Sequence, residues 1–297
     1  MLFAPNTRTK GDGRGLTRRI WSGRPLWWYE LILVSACYWL YAMVRDIHGQ
    51  AEDQSRAFAN GHGLESAENA TGLNFERSVQ QFFLHCRWLL RAMGGFYGGA
   101  HFVVTFGVLV WLLWRRPEQY RRWRRLLGIT TAAGVFVFAL FPVAPPRLIP
   151  GTGVEDSLDT VGGLWSYNRG VLEHIADPYA AMPSLHLGWS TWVALTLAST
   201  VGAGWSLRKR ALFAIYPGVV TVIVLATGTH WFVDTLAGVA LTLTVWAADI
   251  LVRRIWRRWH PEPLEAAGPY RGVGVPEPAW SVLRVRGRAI EETISVD

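Results

Sequence analysis

The chain has 297 residues, 51% of them hydrophobic, with 17 Trp and a formal charge of +8. Its apolar residues fall in runs of roughly 17–22, the length a helix needs to cross ~30 Å of hydrocarbon, and not at the periods of an amphipathic soluble fold. The basic residues sit in short blocks between those runs, which suits anionic headgroups and excludes the continuous basic face that a nucleic acid requires.

Residues 1–25 hold six basic residues and precede the first apolar run without a small-x-small cleavage site. They read as a cytoplasmic N-terminus leading into a retained signal anchor. Six spans are predicted, at 26–44, 96–114, 126–144, 185–204, 211–227 and 231–252, so the fold class is all-α and polytopic. Trp and Tyr gather near several span ends, as interfacial aromatics do. The polar interruptions are Glu30, His101, His186, Asp234 and Asp249. Between the first two spans, Phe75, Val79, Phe82, Phe83, Cys86, Leu89 and Leu90 recur at helical spacing. Arg77, Gln80, Gln81, Arg87 and Arg91 fill the other face, which predicts an amphipathic helix lying on the membrane. The chain thus divides into residues 1–25, a first span with its outer loop and interfacial helix over 26–95, a core of spans over 96–252, and 253–297. That last segment shifts to Pro, Gly, Glu and Arg and reads as a loosely ordered cytoplasmic tail. Cys37 and Cys86 form no Cys/His cluster, so a structural zinc site is not expected. No internal repeat is visible, and the inverted-repeat signature of many transporters is missing.

Charge fixes the expected orientation. Residues 1–25 hold six basic side chains, 115–125 six, 205–210 three and 253–260 four. The intervening loops go the other way: 46–93 has four basic against six acidic residues, and 145–183 has two against five. The positive-inside rule therefore puts both termini in the cytoplasm and the two acidic loops outside.

Polar groups at a span boundary are costly and invite a functional reading. Three clusters meet on the outer side. Phe141-Pro142-Val143-Ala144-Pro145-Pro146-Arg147 ends the third span, and its prolines deliver an arginine whose planar fork suits phosphate oxygens. Met182-Pro183-Ser184-Leu185-His186 opens the fourth, with a hydroxyl and free backbone N–H groups near any anion and an imidazole on the first turn. Gly228-Thr229-His230-Trp231-Phe232-Val233-Asp234 opens the sixth. His230 and Asp234 are four apart and are expected to share a helix face, with the carboxylate fixing the tautomer of a histidine nucleophile or base. Each residue alone has a plainer reading, a snorkelling arginine or a structural histidine. Topology brings Arg147, Ser184, His186, His230 and Asp234 to one membrane depth, a constellation more specific than any member.

These residues resemble the type 2 phosphatidic acid phosphatase superfamily, most of all the branch that includes inositol phosphorylceramide synthases. Pro183-Ser184-Leu185-His186 is similar to the second signature, with Leu185 where phosphatases usually carry Gly, and His230-Trp231-Phe232-Val233-Asp234 with Leu236-Ala237-Gly238 is similar to the third. The likeness runs over about 96–252, and more weakly over 41–76 with Arg45 and Glu65. It implies that His230 attacks phosphorus to give a phosphohistidine, oriented by Asp234. It also implies that His186 protonates the leaving oxygen, that Arg147 and Ser184 bind the phosphoryl oxygens, and that no metal or cofactor is needed. The substrate would be a lipid phosphate or phosphodiester reached from the surrounding membrane lipids. Water as second acceptor makes a phosphatase, an alcohol makes a phosphotransferase, and Leu185 favours transfer. Two cations of the usual set are missing: the first signature offers only Arg147, and Val224 stands six residues before His230 where the family has an arginine. His101, His174, Arg169 and Arg45 are the candidates to replace them. The competing readings are a non-catalytic transporter or scaffold, a haem carrier with two histidine ligands, and a metal-dependent intramembrane hydrolase using His186, His230 and Asp234.

Overall fold

A computed structural model describes residues 27–48, 51–161, 176–201 and 204–260. The elements are α1 (Trp27–His48), α2 (Ala51–Thr71), α3 (Glu76–Leu84), α4 (Arg87–Gly95), α5 (His101–Arg115), α6 (Pro117–Leu140), α7 (Ser157–Val161), α8 (Leu185–Thr200), α9 (Leu207–Ala211), α10 (Ile215–Ala226) and α11 (Phe232–Trp259). A π-turn, Phe96–Ala100, joins α4 to α5, and short 3-10 turns lie at Pro146–Leu148 and Leu212–Ala214. Among the described residues the fold is all-helical apart from one isolated bridge, Val143 with Ala180. Backbone contacts divide the chain into Met1–Leu251 and Val252–Asp297. The candidate site described below lies within the first unit, and of the second only 252–260 are described.

Among the described residues, four stretches are long and apolar enough to cross a membrane: Arg87–Arg115, Pro117–Leu140, Leu207–Ala226 and Phe232–Trp259. They carry the large outward-facing side chains expected of an integral membrane protein, among them Val103, Trp114, Phe136 and Leu251. The sequence predicts six spans. Of the other two, α1 has 22 residues and is not among these four stretches. The other, α8, is a helix of only 16 residues. Its length is set by a serine cap at one end and by a break before Val201, and it is the most enclosed helix, packed against α5, α6 and α10. Trp192 on α8 is fully buried and donates its indole N–H to the Trp123 carbonyl of α6 at 2.9 Å.

The interfacial helix expected over 75–91 is not continuous. The chain breaks at Cys86, and the part beyond it, α4, runs through the π-turn into the span. Two polar residues of α3 turn inward, although Arg77 and Gln81 stay exposed. Glu76 and Gln80 are buried while Phe82 is exposed, because buried backbone groups need partners more than the bilayer needs the apolar face covered. Gln80 donates to the Glu155 carbonyl at 2.8 Å and accepts from the Glu155 amide at 2.7 Å. The acidic loop 46–93 is therefore largely helical, and α2, with mean composition too polar to look like a helix stripe, was invisible to periodicity.

Asp249, an unexplained charge in the last span, receives Arg122 at 2.8 Å and Arg125 at 2.7 Å from α6. The carboxylate is nearly buried and both cations are partly solvated, so the pair is worth less than a fully enclosed one. Asp249→Asn is expected to cost about 1–3 kcal/mol, read as a lower thermal midpoint in detergent.

Candidate functional site

The site grows from the segment after α6. Val143 accepts its place by donating its amide to the Tyr179 carbonyl at 2.8 Å, and the Ala144 amide reaches the Ala57 carbonyl of α2 at 2.9 Å. The Trp231 indole donates back to the Ala144 carbonyl at 2.9 Å. These bonds pin the proline-rich segment against the turn that carries His230. The Arg147 amide then donates to the Gly228 carbonyl at 3.2 Å. Gly228 has φ +67°, and a Cβ there would meet Val154, the Glu155 carbonyl and Gln80, so both the turn and its neighbours require glycine. The Arg147 guanidinium is almost fully buried and pairs with Asp156 at 2.6 Å. Asp156 is itself held by the Asp159 amide at 3.2 Å, at the start of α7.

Ser184 caps α8: its hydroxyl accepts from the Leu187 amide at 3.4 Å, and its own amide donates to the Asp234 carbonyl at 3.0 Å. The hydroxyl expected on phosphate is thus occupied by the helix cap and fully buried. The starts of α8 and α11 are tied together at the residues expected to react. One turn on, His186 stacks on Tyr97 with ring centroids 4.2 Å apart and donates from Nε2 to the Tyr97 carbonyl at 3.2 Å. That bond fixes the tautomer with Nδ1 as the available nitrogen.

His230 does not share a helix face with Asp234, because α11 begins only at Phe232. The histidine lies in the turn before it, and Asp234 reaches back in the manner of a cap. Its Oδ2 accepts from the Trp231 amide at 3.0 Å and stands 3.5 Å from His230 Nδ1. The contact is an ion-pair distance, longer than a formed hydrogen bond, and the amide takes the better geometry. Both side chains are buried. The His186 and His230 rings lie 5.8 Å apart, edge to face. Ser184, His186, His230 and Asp234 are therefore linked directly, and Arg147 is tied by its amide to Gly228, two positions before His230.

The cation candidates fare differently. His101 is buried beside His186, with ring centroids 4.8 Å apart, and its Nδ1 meets the Tyr216 hydroxyl at 3.4 Å. Arg45 pairs with Asp46. Arg169 and His174 lie outside the described residues. Val224 is a fully buried core residue of α10. Glu65, singled out by the resemblance, contacts His62 on the surface. Sequence reasoning missed the groups that hold the site from behind: Glu68, Glu76, Gln80 and Tyr97. Glu68, Glu76 and Gln80 stand in the outer loop and Tyr97 at the start of the predicted second span, and their role depends on partners 75–165 positions away. Among the described residues, no group of three or more His, Cys, Asp or Glu is arranged to hold a metal ion.

A search of curated protein sequences finds no match. Among solved structures, the fold is similar to that of Aquifex aeolicus LpxE, with 15% identity, a TM-score of 0.41, and coverage of 59% of this chain and 94% of that one. A family model described as the PAP2 superfamily matches residues 62–248, which include every residue of the cluster. The chain belongs to the PAP2 superfamily.

Proposed function

We propose that this protein is a membrane-embedded lipid phosphatase or phosphotransferase that works at the outer membrane face through a phosphohistidine, without a metal. The observation that carries the proposal is the convergence of the His186 and His230 rings, from two separate helix starts, with Asp234 behind His230. Membership of the PAP2 superfamily supports a phosphatase-type reaction on a lipid phosphate. The Nδ1 of His230 faces Asp234, so Nε2 is the nitrogen left to attack phosphorus. The P–N bond forms as the bond to the lipid oxygen breaks, and that oxygen takes a proton from His186. Asp234 stabilises the charge that develops on the His230 ring. Arg147 binds the equatorial oxygens once it exchanges Asp156 for phosphate, and the first turn of α8 at Ser184 adds its N–H dipoles. In the second step His186 takes a proton from water or from an alcohol, whose oxygen displaces His230. Water releases inorganic phosphate, and an alcohol receives the phosphoryl group. The resemblance of Leu185 and its neighbours to inositol phosphorylceramide synthases favours the alcohol.

The test is release of phosphate, and headgroup transfer to added alcohols, from a panel of lipid phosphates and phosphodiesters with the purified protein in detergent and chelator. Turnover that resists chelation, together with an acid-labile phosphoprotein trapped from labelled substrate, is the expected result. Turnover that vanishes with chelator and returns with a divalent cation would sink the metal-free route. Turnover by His230→Ala equal to wild type would sink the site.

A further inference from the structure

Three successive amides at the start of α11 are taken by carboxylates. Trp231 donates to Asp234, Phe232 to Glu76 and Val233 to Glu68. Two of these acceptors come from α2 and α3, more than 150 positions away in the chain, and both side chains are buried. A helix N-terminus attracts negative charge, and the usual device is one short side chain from the preceding residue. Here three carboxylates converge on one turn, which is costly unless something offsets their repulsion.

Glu68 Oε2 is buried without a hydrogen-bond partner, and the Glu76 carboxylate, held on the adjacent amide, is the ionisable neighbour that acts on it most strongly. Two carboxylates form a hydrogen bond only when one of them carries a proton. The ionisable groups that bear on the pair are each other and Asp234, all acidic, with His230 beyond Asp234. Arg77, next to Glu76 in the chain, lies against Gly153 instead. Burial first, then the neighbouring acids, push the Glu68 carboxyl up to about 8, and burial raises Glu76 as well.

We infer that Glu68 and Glu76 are positioning residues that share one proton, and that this proton locks the turn bearing His230 onto α2 and α3. The pair touches neither ring of the reacting centre. It acts by fixing the amides of Phe232 and Val233, and through them the angle at which His230 and Asp234 meet. With the proton present, the pair adds one negative charge to the turn. When it leaves, three carboxylates crowd one helix end and the cap loosens. The sign follows from the raised carboxyl. The folded chain keeps a proton that the unfolded chain releases in the ordinary glutamate range. The cap's contribution is therefore complete below that range and is lost as pH rises through about 8.

Two measurements test this, and the first does not depend on the proposed reaction. Infrared difference spectra of the purified protein between about pH 6 and about pH 10 should show a protonated-carboxyl band that disappears with a midpoint near 8 and is absent in Glu68→Gln. A wild-type spectrum without that band, or a band that survives in both Glu68→Gln and Glu76→Gln, overturns the shared proton. The second measurement rests on the phosphohistidine reading. Glu68→Gln keeps a donor for Glu76 and an acceptor for Val233, so it should hold kcat within about threefold of wild type near neutral pH. Glu68→Ala should lose about tenfold or more. The fall in kcat above pH 8 should be shallower in Glu68→Gln than in wild type. Identical pH profiles for the two proteins overturn the positioning role. Absence of turnover by wild type on every lipid phosphate overturns the proposed reaction and leaves the infrared result to decide the pair.

Discussion

His230→Ala is expected to lower turnover of a lipid phosphate by about a thousandfold or more, with the thermal midpoint in detergent little changed. The fold tolerates the loss because the turn is held by groups other than the imidazole. Arg147 donates to the Gly228 carbonyl, Thr229 to the Val224 carbonyl, and Trp231 both to Asp234 and, through its indole, to Ala144. A small change in midpoint with a large loss of kcat therefore assigns chemistry to the ring. The companion His186→Ala should lose about 10²–10⁴-fold, and the loss should shrink on a substrate with a strongly acidic leaving alcohol, which departs without a proton. A nucleophile cannot be relieved that way, so His230→Ala should stay inactive on both substrates. Equal relief of the two variants would show that their roles are wrongly assigned.

Gly238→Ala is the second large effect, and it acts through packing. A Cβ at Gly238 would stand 2.1 Å from the Ser184 carbonyl oxygen and 3.2 Å from Leu187 Cβ. The oxygen is backbone and already accepts from the Gly188 amide at 2.9 Å, so it cannot swing aside as a side-chain end would. The two helix starts must separate, at a cost of about 3 kcal/mol or more. Separation breaks the bond between the Ser184 amide and the Asp234 carbonyl, and carries His186 away from His230. We expect a thermal midpoint lower by several degrees and at least a tenfold loss of activity in what remains folded. Gly218→Ala on α10 is the matched control, since nothing lies within 4 Å of a Cβ there. A harmless Gly238→Ala would mean that the helices do not approach as closely as described.

Much of this was legible in the sequence, for identifiable reasons. Prolines and glycines at the ends of apolar runs mark where helices stop, and all five predicted site residues lie beside such a stop. The expectation that they converge rests on the alternation of basic and acidic loops across six spans. The relation between His230 and Asp234 was less readable, because spacing of four implies a shared face only inside a helix, and the helix begins after the histidine. The outer loop was least readable. Glu68, Glu76 and Gln80 look like surface polarity when neighbours in the chain are the only context, and their use as caps and clamps exists only once α2 and α3 meet the start of α11. The resemblance placed weight on Glu65, three residues from Glu68, which faces outward and contacts His62.

The Arg147–Asp156 pair bears on the traffic of anions. A guanidinium that is almost entirely enclosed does not stand uncompensated, and the carboxylate of Asp156 offsets its charge. On the proposed role, an incoming phosphate must evict this internal rival. A passing halide gains too little to do so, whereas a phosphate ester brings several oxygens to the guanidinium fork. The same rivalry operates on the way out, since the carboxylate is ready to reclaim its partner as soon as inorganic phosphate loosens. The tether thus discriminates at entry and hastens exit, and the enzyme is spared from being clogged by its own product.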